Sequence, residues 1–411
     1  MNALSLDAHQ FEAQRSDPRL AQWLQQFPPA VFSERAYQSI ELMERYSIEL
    51  AVDLARQLNL ADQLNEWRSA DELCDLLSFR PRFKFALCWI LERLVETRCA
   101  EARTEGGTRS YHLRQAPWQP DLKRLRAAGL AIDPANAATL DLLDHAASVY
   151  PAVANGRHSG DHNLLGPQGV PLWLNYFHND NVTYAVNNWV GAVLAAEHLS
   201  QDTLRILEVG AGTGSASEIL LRLLGERGLL PRIERYLITE PNAYFRRCSQ
   251  RKLAGQYPNL SLQWAPLDLD LPWNTQGITA GEFDLVYAVN VMHISKNLLF
   301  SLNEARSALA PGAWLAIGEC VRPYDNQPIY PELMFQILDS FTNVQTDAEV
   351  RPNPGFLTAE QWRHAFSRAG FKHARVAPDI DRIREIYPHF FTAAICGQNS
   401  ETANDPASPR R

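Results

Sequence analysis

Two hydrophobic rhythms divide this chain. From residue 31 to about 115 the apolar positions recur every three or four residues, the period of an amphipathic helix. YSIELAVDLARQLNLADQL (46–64) follows it. SADELCDLLSF (69–79) opens with Ser and Asp as caps and an acidic first turn, a helix start signal. RFKFALCWILERLVETRCAEA (82–102) reads as a longer, largely buried helix, and Glu105-Gly106-Gly107-Thr108 as the turn before a short strand, RSYHLR. After residue 204 the rhythm changes to short apolar runs alternating with helical stretches. RILEVG (205–210), RYLITE (235–240), LSLQWAP (260–266), FDLVYAVNV (283–291), AWLAIGEC (313–320), ARVAPDI and FFTAAICG (390–397) read as strands. Helices are expected over 214–225, LLFSLNEARSAL and 359–371. Apolar strands alternating with helices predict an α/β fold, a parallel sheet covered by helices on both faces.

The first rhythm, helix, helix, longer helix, hairpin, is the order of a winged-helix module. Its third helix is too apolar for a DNA major groove, although Arg80, Arg82 and Lys84 precede its core. A packing or dimerisation domain over 31–150 is the expectation, with a homodimer possible. Residues 1–30 read as a flexible N-terminus and 398–411, ending ASPRR, as a disordered tail. Residues 151–200 read as a linker or lid: a Gly-rich loop, NGRHSGDHNLLGPQG, then an aromatic and amide-rich helix, WLNYFHNDNVTYAVNNWVGAVLAAEHL (173–199). The catalytic domain is placed at 201–397. Within it, 321–357 carries five prolines and breaks the rhythm near the carboxyl ends of the strands, where ligands bind in such sheets.

Composition narrows the function classes. The chain has 411 residues, 39 Lys and Arg against 47 Asp and Glu, and a net charge of −8, which argues against a nucleic-acid-binding surface. No run of 18 apolar residues suggests a membrane span, and the N-terminal stretch lacks an apolar export core. The 6 cysteines form no CxxC pair, and no Cys/His spacing suits a metal. A cytoplasmic protein without a metal site is expected.

The densest local signal is LEVGAGTGSAS (207–217), at a strand-to-helix turn. Gly210, Gly212 and Gly214 permit positive φ and close ligand approach. Glu240 ends the next strand, 30 positions after Gly210, where a carboxylate can accept two ribose hydroxyls. A dinucleotide would need G-x-G-x-x-G. Here Glu208 precedes the turn; it would repel phosphate and suit an ammonium group, as in S-adenosylmethionine (SAM). On these residues the sequence resembles the class I SAM-dependent methyltransferases, over about 204–397. The resemblance implies a Rossmann-like sheet and SAM as cofactor. It implies that Glu208 and the 210–214 turn hold the methionine portion and Glu240 the ribose. Asp268, with Leu269 beside it, would meet the adenine; Asp270 is the alternative within APLDLD. Asn290 and Val291 would lie under the methionine moiety, and Phe245 or Tyr244 near the adenosine.

His293, in VNVMHIS, lies just past the fourth strand, and Glu319, in AIGECVRP, ends the fifth, 26 residues later. Adjacent strands lie about 5 Å apart, so the two side chains can meet and form a general base steadied by a carboxylate. NVMHISKNL, Glu319 and the lead-in segment 150–188 resemble the C-methyltransferase domains of polyketide synthases. That resemblance implies methylation of an acidic carbon beside a carbonyl, in a β-ketoacyl thioester carried on a protein or in a free small molecule. Tyr176 and Asn181 are candidate pocket groups, Tyr176 for the enolate oxygen. The alternative is a small-molecule O-methyltransferase with a winged-helix dimerisation domain, which shares the pair; there an acid often follows the base, where this chain has Ile294. A non-catalytic SAM-binding partner is a further reading, and His293 as an iron ligand that binds a 2-oxo acid is another.

Overall fold

The computed structural model describes residues 18–199 and 203–400. Residues 1–17 and 401–411, which include most of both expected flexible ends, lie outside the described residues. Part of the first end is ordered. Pro18–Leu24 is a helix, and Trp23, Phe27 and Phe32 form a cluster with ring centroids 4.5–5.1 Å apart. Phe32 then packs on Phe390. Three aromatics at helix-like spacing provide enough apolar area to hold this segment on the body.

The N-terminal unit builds as the periodicity predicts. Helix Glu34–Gln57 buries one face, and Ala70–Leu76 starts with a capping box. There Ser69 Oγ accepts the Glu72 N–H at 3.3 Å, and the Glu72 carboxylate accepts the Ser69 N–H at 2.7 Å. Helix Lys84–Glu96 follows, then a small antiparallel sheet of β1 (Arg68–Ser69), β2 (Ala100–Glu105) and β3 (Thr108–Leu113), in the order β1-β3-β2. Helices followed by a hairpin are the order the sequence predicts.

The large sheet has seven strands: β4 (Leu204–Val209), β5 (Ile233–Thr239), β6 (Leu262–Ala265), β7 (Phe283–Val289), β8 (Leu309–Cys320), β9 (Lys372–Ala377) and β10 (Thr392–Gln398). Their order is β6-β5-β4-β7-β8-β10-β9. The sheet is parallel through β6, β5, β4, β7 and β8, as expected, and β10 alone runs antiparallel to both its neighbours. Between β9 and β10 the chain reverses through a short helix, Ile380–Ile386, which the sequence reading passed over. β10 then inserts between β8 and β9. Strand β9 and helix Ile380–Ile386 replace the single strand expected for ARVAPDI.

Helix Val182–Glu197, assigned above to the linker or lid, belongs to the sheet's own packing. It buries nearly its whole circumference against β7, β8 and β10 on one side and helix Ser215–Glu226 on the other. A helix apolar all round has no solvent face to offer. The part of 151–200 that does overlie the site is the stretch before it.

The N-terminal unit is wired into the catalytic half. Arg93, fully buried, pairs with buried Glu44, and Arg93 Nη1 also lies 2.8 Å from Glu96. Glu44 Oε2 accepts the Tyr330 N–H at 3.0 Å, inside the 321–357 insertion. Tyr150 Oη donates to the Leu333 carbonyl at 2.7 Å. Burial pushes the Glu44 carboxyl up, and Arg93 opposes that. All 6 cysteines are unpaired. Among the described residues no helix is long and apolar enough to cross a membrane.

Removing one member of a buried ion pair leaves the other uncompensated. Arg93→Met should therefore lower unfolding free energy by about 3–5 kcal/mol, read as a lower urea midpoint. Adding Glu44→Gln should recover most of that loss.

Candidate active site

The site forms where three neighbouring strands end. β4 lies between β5 and β7, and β7 between β4 and β8. Register pairs Val209 with Ala288 and Val289 with Gly318, so the loops after β4 and β7 and the end of β8 emerge side by side. β7 gives way to its loop at Asn290, whose φ is +52° and whose Oδ1 accepts the Cys320 N–H at 3.1 Å. That side-chain bond fixes a left-handed residue that Asn tolerates better than most.

The loop then turns through a single 3-10 turn, Met292–Ile294, around one carboxylate. Glu319 is fully buried. Its Oε1 accepts the N–H groups of Val291 (3.2 Å), Met292 (2.8 Å) and His293 (3.4 Å). Its Oε2 lies 2.7 Å from His293 Nδ1. A carboxylate only accepts, so Nδ1 is the donor and Nε2 keeps its lone pair. Nε2 makes no hydrogen bond within the described residues. The ring stands among Phe335, Phe341 and Phe356, with centroids 6.3, 5.7 and 4.6 Å away. All three phenylalanines, and Arg351 behind the loop, come from the 321–357 insertion, and sequence reasoning missed them. The proline-rich interruption marked the region but not which side chains it turns inward.

Beside this pair is a cavity of about 350 Å³. Of the residues inferred for the cofactor, Gly210, Asp268, Leu269, Val291 and the alternative Asp270 line it, with Pro241 next to Glu240 and with Asp339, Ser340 and Asn343 of the insertion. Gly210 has φ +66°, and a Cβ there would sit 2.3 Å from Val291 Cγ2. Gly212 has φ +54° and nothing within 4 Å of a Cβ position, so the turn's apex faces open space. Gly214 packs on Ser249. Thr213 and Ser215, which sequence reading did not single out, both donate to the Phe177 carbonyl (3.2 and 2.5 Å), tying the turn to the lead-in segment.

The two glutamates lie differently from each other. Glu240 stands at the turn: it accepts Gly212 N–H at 3.0 Å and Asn242 N–H at 2.8 Å, and burial pushes its carboxyl up. Glu208 does not line the cavity. It is 1% exposed beneath the turn, accepts Tyr236 Oη–H at 2.6 Å, and burial pushes its carboxyl up to about 7. Of the two aspartates left open by the DLD pattern, Asp270 is engaged, accepting Lys296 N–H at 2.8 Å with Lys296 Nζ 3.5 Å away. Asp268 uses Oδ1 to accept the Asp270 N–H at 2.9 Å and keeps Oδ2 without a hydrogen-bond partner.

The remaining candidates are placed elsewhere. Asn181 is no pocket group. It is buried at the start of helix Val182–Glu197, donating to the Tyr176 carbonyl at 3.1 Å and accepting Thr183 Oγ1–H at 2.8 Å, so its amide is consumed by local structure. Tyr176 packs on Trp173, Phe177 and Tyr184, and its hydroxyl interacts with that of Tyr330. No contact joins it to His293; Trp173 and Phe335 stand between their two clusters. Phe245 meets Phe177 edge-on, while Tyr244 is exposed.

Comparison with known proteins agrees with this geometry. Residues 207–315 match the family described as a methyltransferase domain. Polyketide synthase PksR of Bacillus subtilis (strain 168) is 27% identical over 243 residues, 57% of this chain but 9% of that synthase's own length. The CurJ carbon methyltransferase structure superposes with a TM-score of 0.75 at 23% identity, covering 97% of this chain and all of that one. The trans-methyltransferase CalH, solved with S-adenosylhomocysteine, gives 0.58 at 18% identity over 89% of this chain and 92% of that one. The structural likenesses are of fold. Residues 207–315 carry a methyltransferase domain, and the open glycine apex and the cavity lined by Gly210, Asp268 and Val291 fit SAM as its cofactor.

A carboxyl whose folded pKa stands above its unfolded one favours the folded state at low pH. For Glu208 that contribution is full below about 4.5 and is lost as pH rises to about 7. Glu208→Gln should therefore be more stable than wild type at pH 8, by about 3 kcal/mol, and equal to it at pH 4. If the carboxylate serves the ammonium of SAM, adding SAM narrows the pH 8 gap, as calorimetric melting will show.

Proposed function

We propose that this protein methylates an acidic carbon next to a carbonyl, with His293 as general base and Glu319 as its orienting partner. The observation that carries this reading is the buried 2.7 Å contact between His293 Nδ1 and Glu319, with the other carboxylate oxygen held by three backbone N–H groups. Methyl transfer to an amine needs alignment and desolvation; a carbon acid must also lose a proton, and this site holds a base built for that. The CurJ relative's description as a carbon methyltransferase supports the same reading.

SAM, when bound, supplies an electrophilic methyl group. Gly210, Gly212 and Val291 would hold its methionine end, Glu240 its ribose and Asp268 its adenine. Glu208, beneath the turn, would set the local charge. The protein's own work is proton transfer. His293 Nε2 would take the proton from the α-carbon, whose electron pair passes to the carbonyl oxygen and leaves an enolate ready for methylation. Glu319 stabilises the imidazolium that results and fixes the tautomer. Phe335, Phe341 and Phe356 pack around the imidazole and keep the surroundings of the base apolar, which limits bulk water at the enolate.

The acceptor we infer is a β-ketoacyl group, held on a carrier protein or as a free thioester. Support comes from the synthase relatives and from the apolar enclosure around His293, which suits an acyl chain better than a charged substrate. O-methylation is the competing outcome, since an O-methyltransferase family 2 protein from Planctomyces limnophilus shares the fold at a TM-score of 0.50.

His293→Ala should lower turnover of a β-ketoacyl thioester by about 10²–10⁴-fold while calorimetric SAM affinity stays within about twofold. Solvent deuterium entry at the α-carbon, followed by NMR without methyl transfer, should stop in the same variant; persistence would remove the base assignment. Glu319→Gln offers Nδ1 an amide donor and forces the proton to Nε2. It should cost about as much as losing the base. The product's methyl resonance separates a C–CH3 from an O–CH3 directly.

A further inference from the structure

Arg351 is 1% exposed and makes no ion pair among the described residues. A buried guanidinium without a carboxylate partner is costly to keep. Its two bonds show what it holds. Nη1 donates to the Ser295 carbonyl at 2.7 Å and Nη2 to the His293 carbonyl. These are the outward carbonyls of the 3-10 turn whose N–H groups bind Glu319 on the other side. The turn is thus clamped from both ends, by a carboxylate on its N–H groups and a cation on its carbonyls. The fields of Glu319 and Asp270 partly offset the desolvation of the guanidinium, which burial pushes down to about 10, so it stays protonated at neutral pH.

Arg351 reaches the turn from the covering segment. Its backbone closes a tight turn with Asp347, whose N–H donates to the Arg351 carbonyl at 2.9 Å and whose carbonyl accepts the Arg351 N–H at 2.8 Å. The same segment sends the Gln345 N–H to the Lys296 carbonyl at 2.7 Å, and Gln345 Oε1 accepts Asn297 Nδ2–H at 2.9 Å. It also supplies Phe341 and Phe356 to the His293 ring.

We propose that Arg351 is a positioning residue that pins the covering segment to the base-bearing turn, so that His293 is held for proton transfer only while the cover is in place. The inference rests on His293 being the base. A guanidinium suits the task because its planar fork spans two carbonyls at once; an ammonium is a single point. Closing the cover and setting the imidazole are then one event, which keeps the base from acting in an open, wet site.

The test uses the full chain with Arg351→Met, Arg351→Lys and His293→Ala, each checked for folding by thermal melting. Backbone amide exchange over 291–297 should speed up at least about tenfold in Arg351→Met, and less in Arg351→Lys. With the acetoacetyl thioester of N-acetylcysteamine, kcat should fall about 10²-fold in Arg351→Met, with KM for the thioester and SAM affinity within about threefold. Unchanged exchange over 291–297 overturns the pin whatever His293→Ala does. Faster exchange with undiminished kcat overturns its role in positioning the base. Full recovery of both by Arg351→Lys overturns the forked clamp. Full activity in His293→Ala would instead overturn the base, a separate result that the exchange measurement does not share.

Discussion

The arrangement of this site depends on one carboxylate placed where water cannot reach it. Glu319 sits at the end of β8 with four donors on its two oxygens, three from backbone and one from an imidazole. An isolated buried charge of this kind is prohibitive, and hydrogen bonds to ionised groups are the strong ones. The loop after β7 therefore has little choice. It curls so that three consecutive N–H groups point at one oxygen, and this curl delivers the His293 ring to the other. Removing the carboxylate would unfasten the imidazole and also the turn that presents it.

The parts that make this interior dry come from far along the chain. The insertion between β8 and helix Ala359–Arg368 lays Phe335, Phe341 and Phe356 around the imidazole and anchors itself with Arg322 on buried Glu332. Its Tyr330 N–H is received by Glu44 of the N-terminal helix, which is itself paired with Arg93. The N-terminal helical unit thus supports the segment that covers the His293 ring. The Phe177 carbonyl does for the glycine turn what Arg351 does for the histidine turn, since it fixes an otherwise free loop by accepting from Thr213 and Ser215.

Local signals made much of this legible. The glycine turn could be read because Gly210, Gly212 and Gly214 all carry positive φ, a demand that few other residues meet. The capping box at Ser69 and Glu72 could be read because both partners lie within one helical turn. The pairing of His293 with Glu319 could be read because parallel neighbours in a βα alternation bring strand ends within reach. What sequence could not reveal is long-range. β10 enters antiparallel, Asn181 is held by Thr139 from 42 residues upstream, Glu208 sinks below the turn, and Arg351 arrives from 58 residues beyond His293.

Periodicity and the glycine turn thus determined, from the sequence alone, an α/β sheet with a glycine turn, a helical N-terminal unit and the adjacency of His293 and Glu319. Each is a property of neighbours along the chain or of strands adjacent by rule. Tertiary structure decided which acids keep a free oxygen, with Asp268 retaining one and Asp270 bound to Lys296. It also decided which aromatic side chains enclose the base and what clamps its turn. Those outcomes depend on burial and on contacts between segments far apart in sequence, where the cost of leaving a polar group unpaired, and not local propensity, selects the partner.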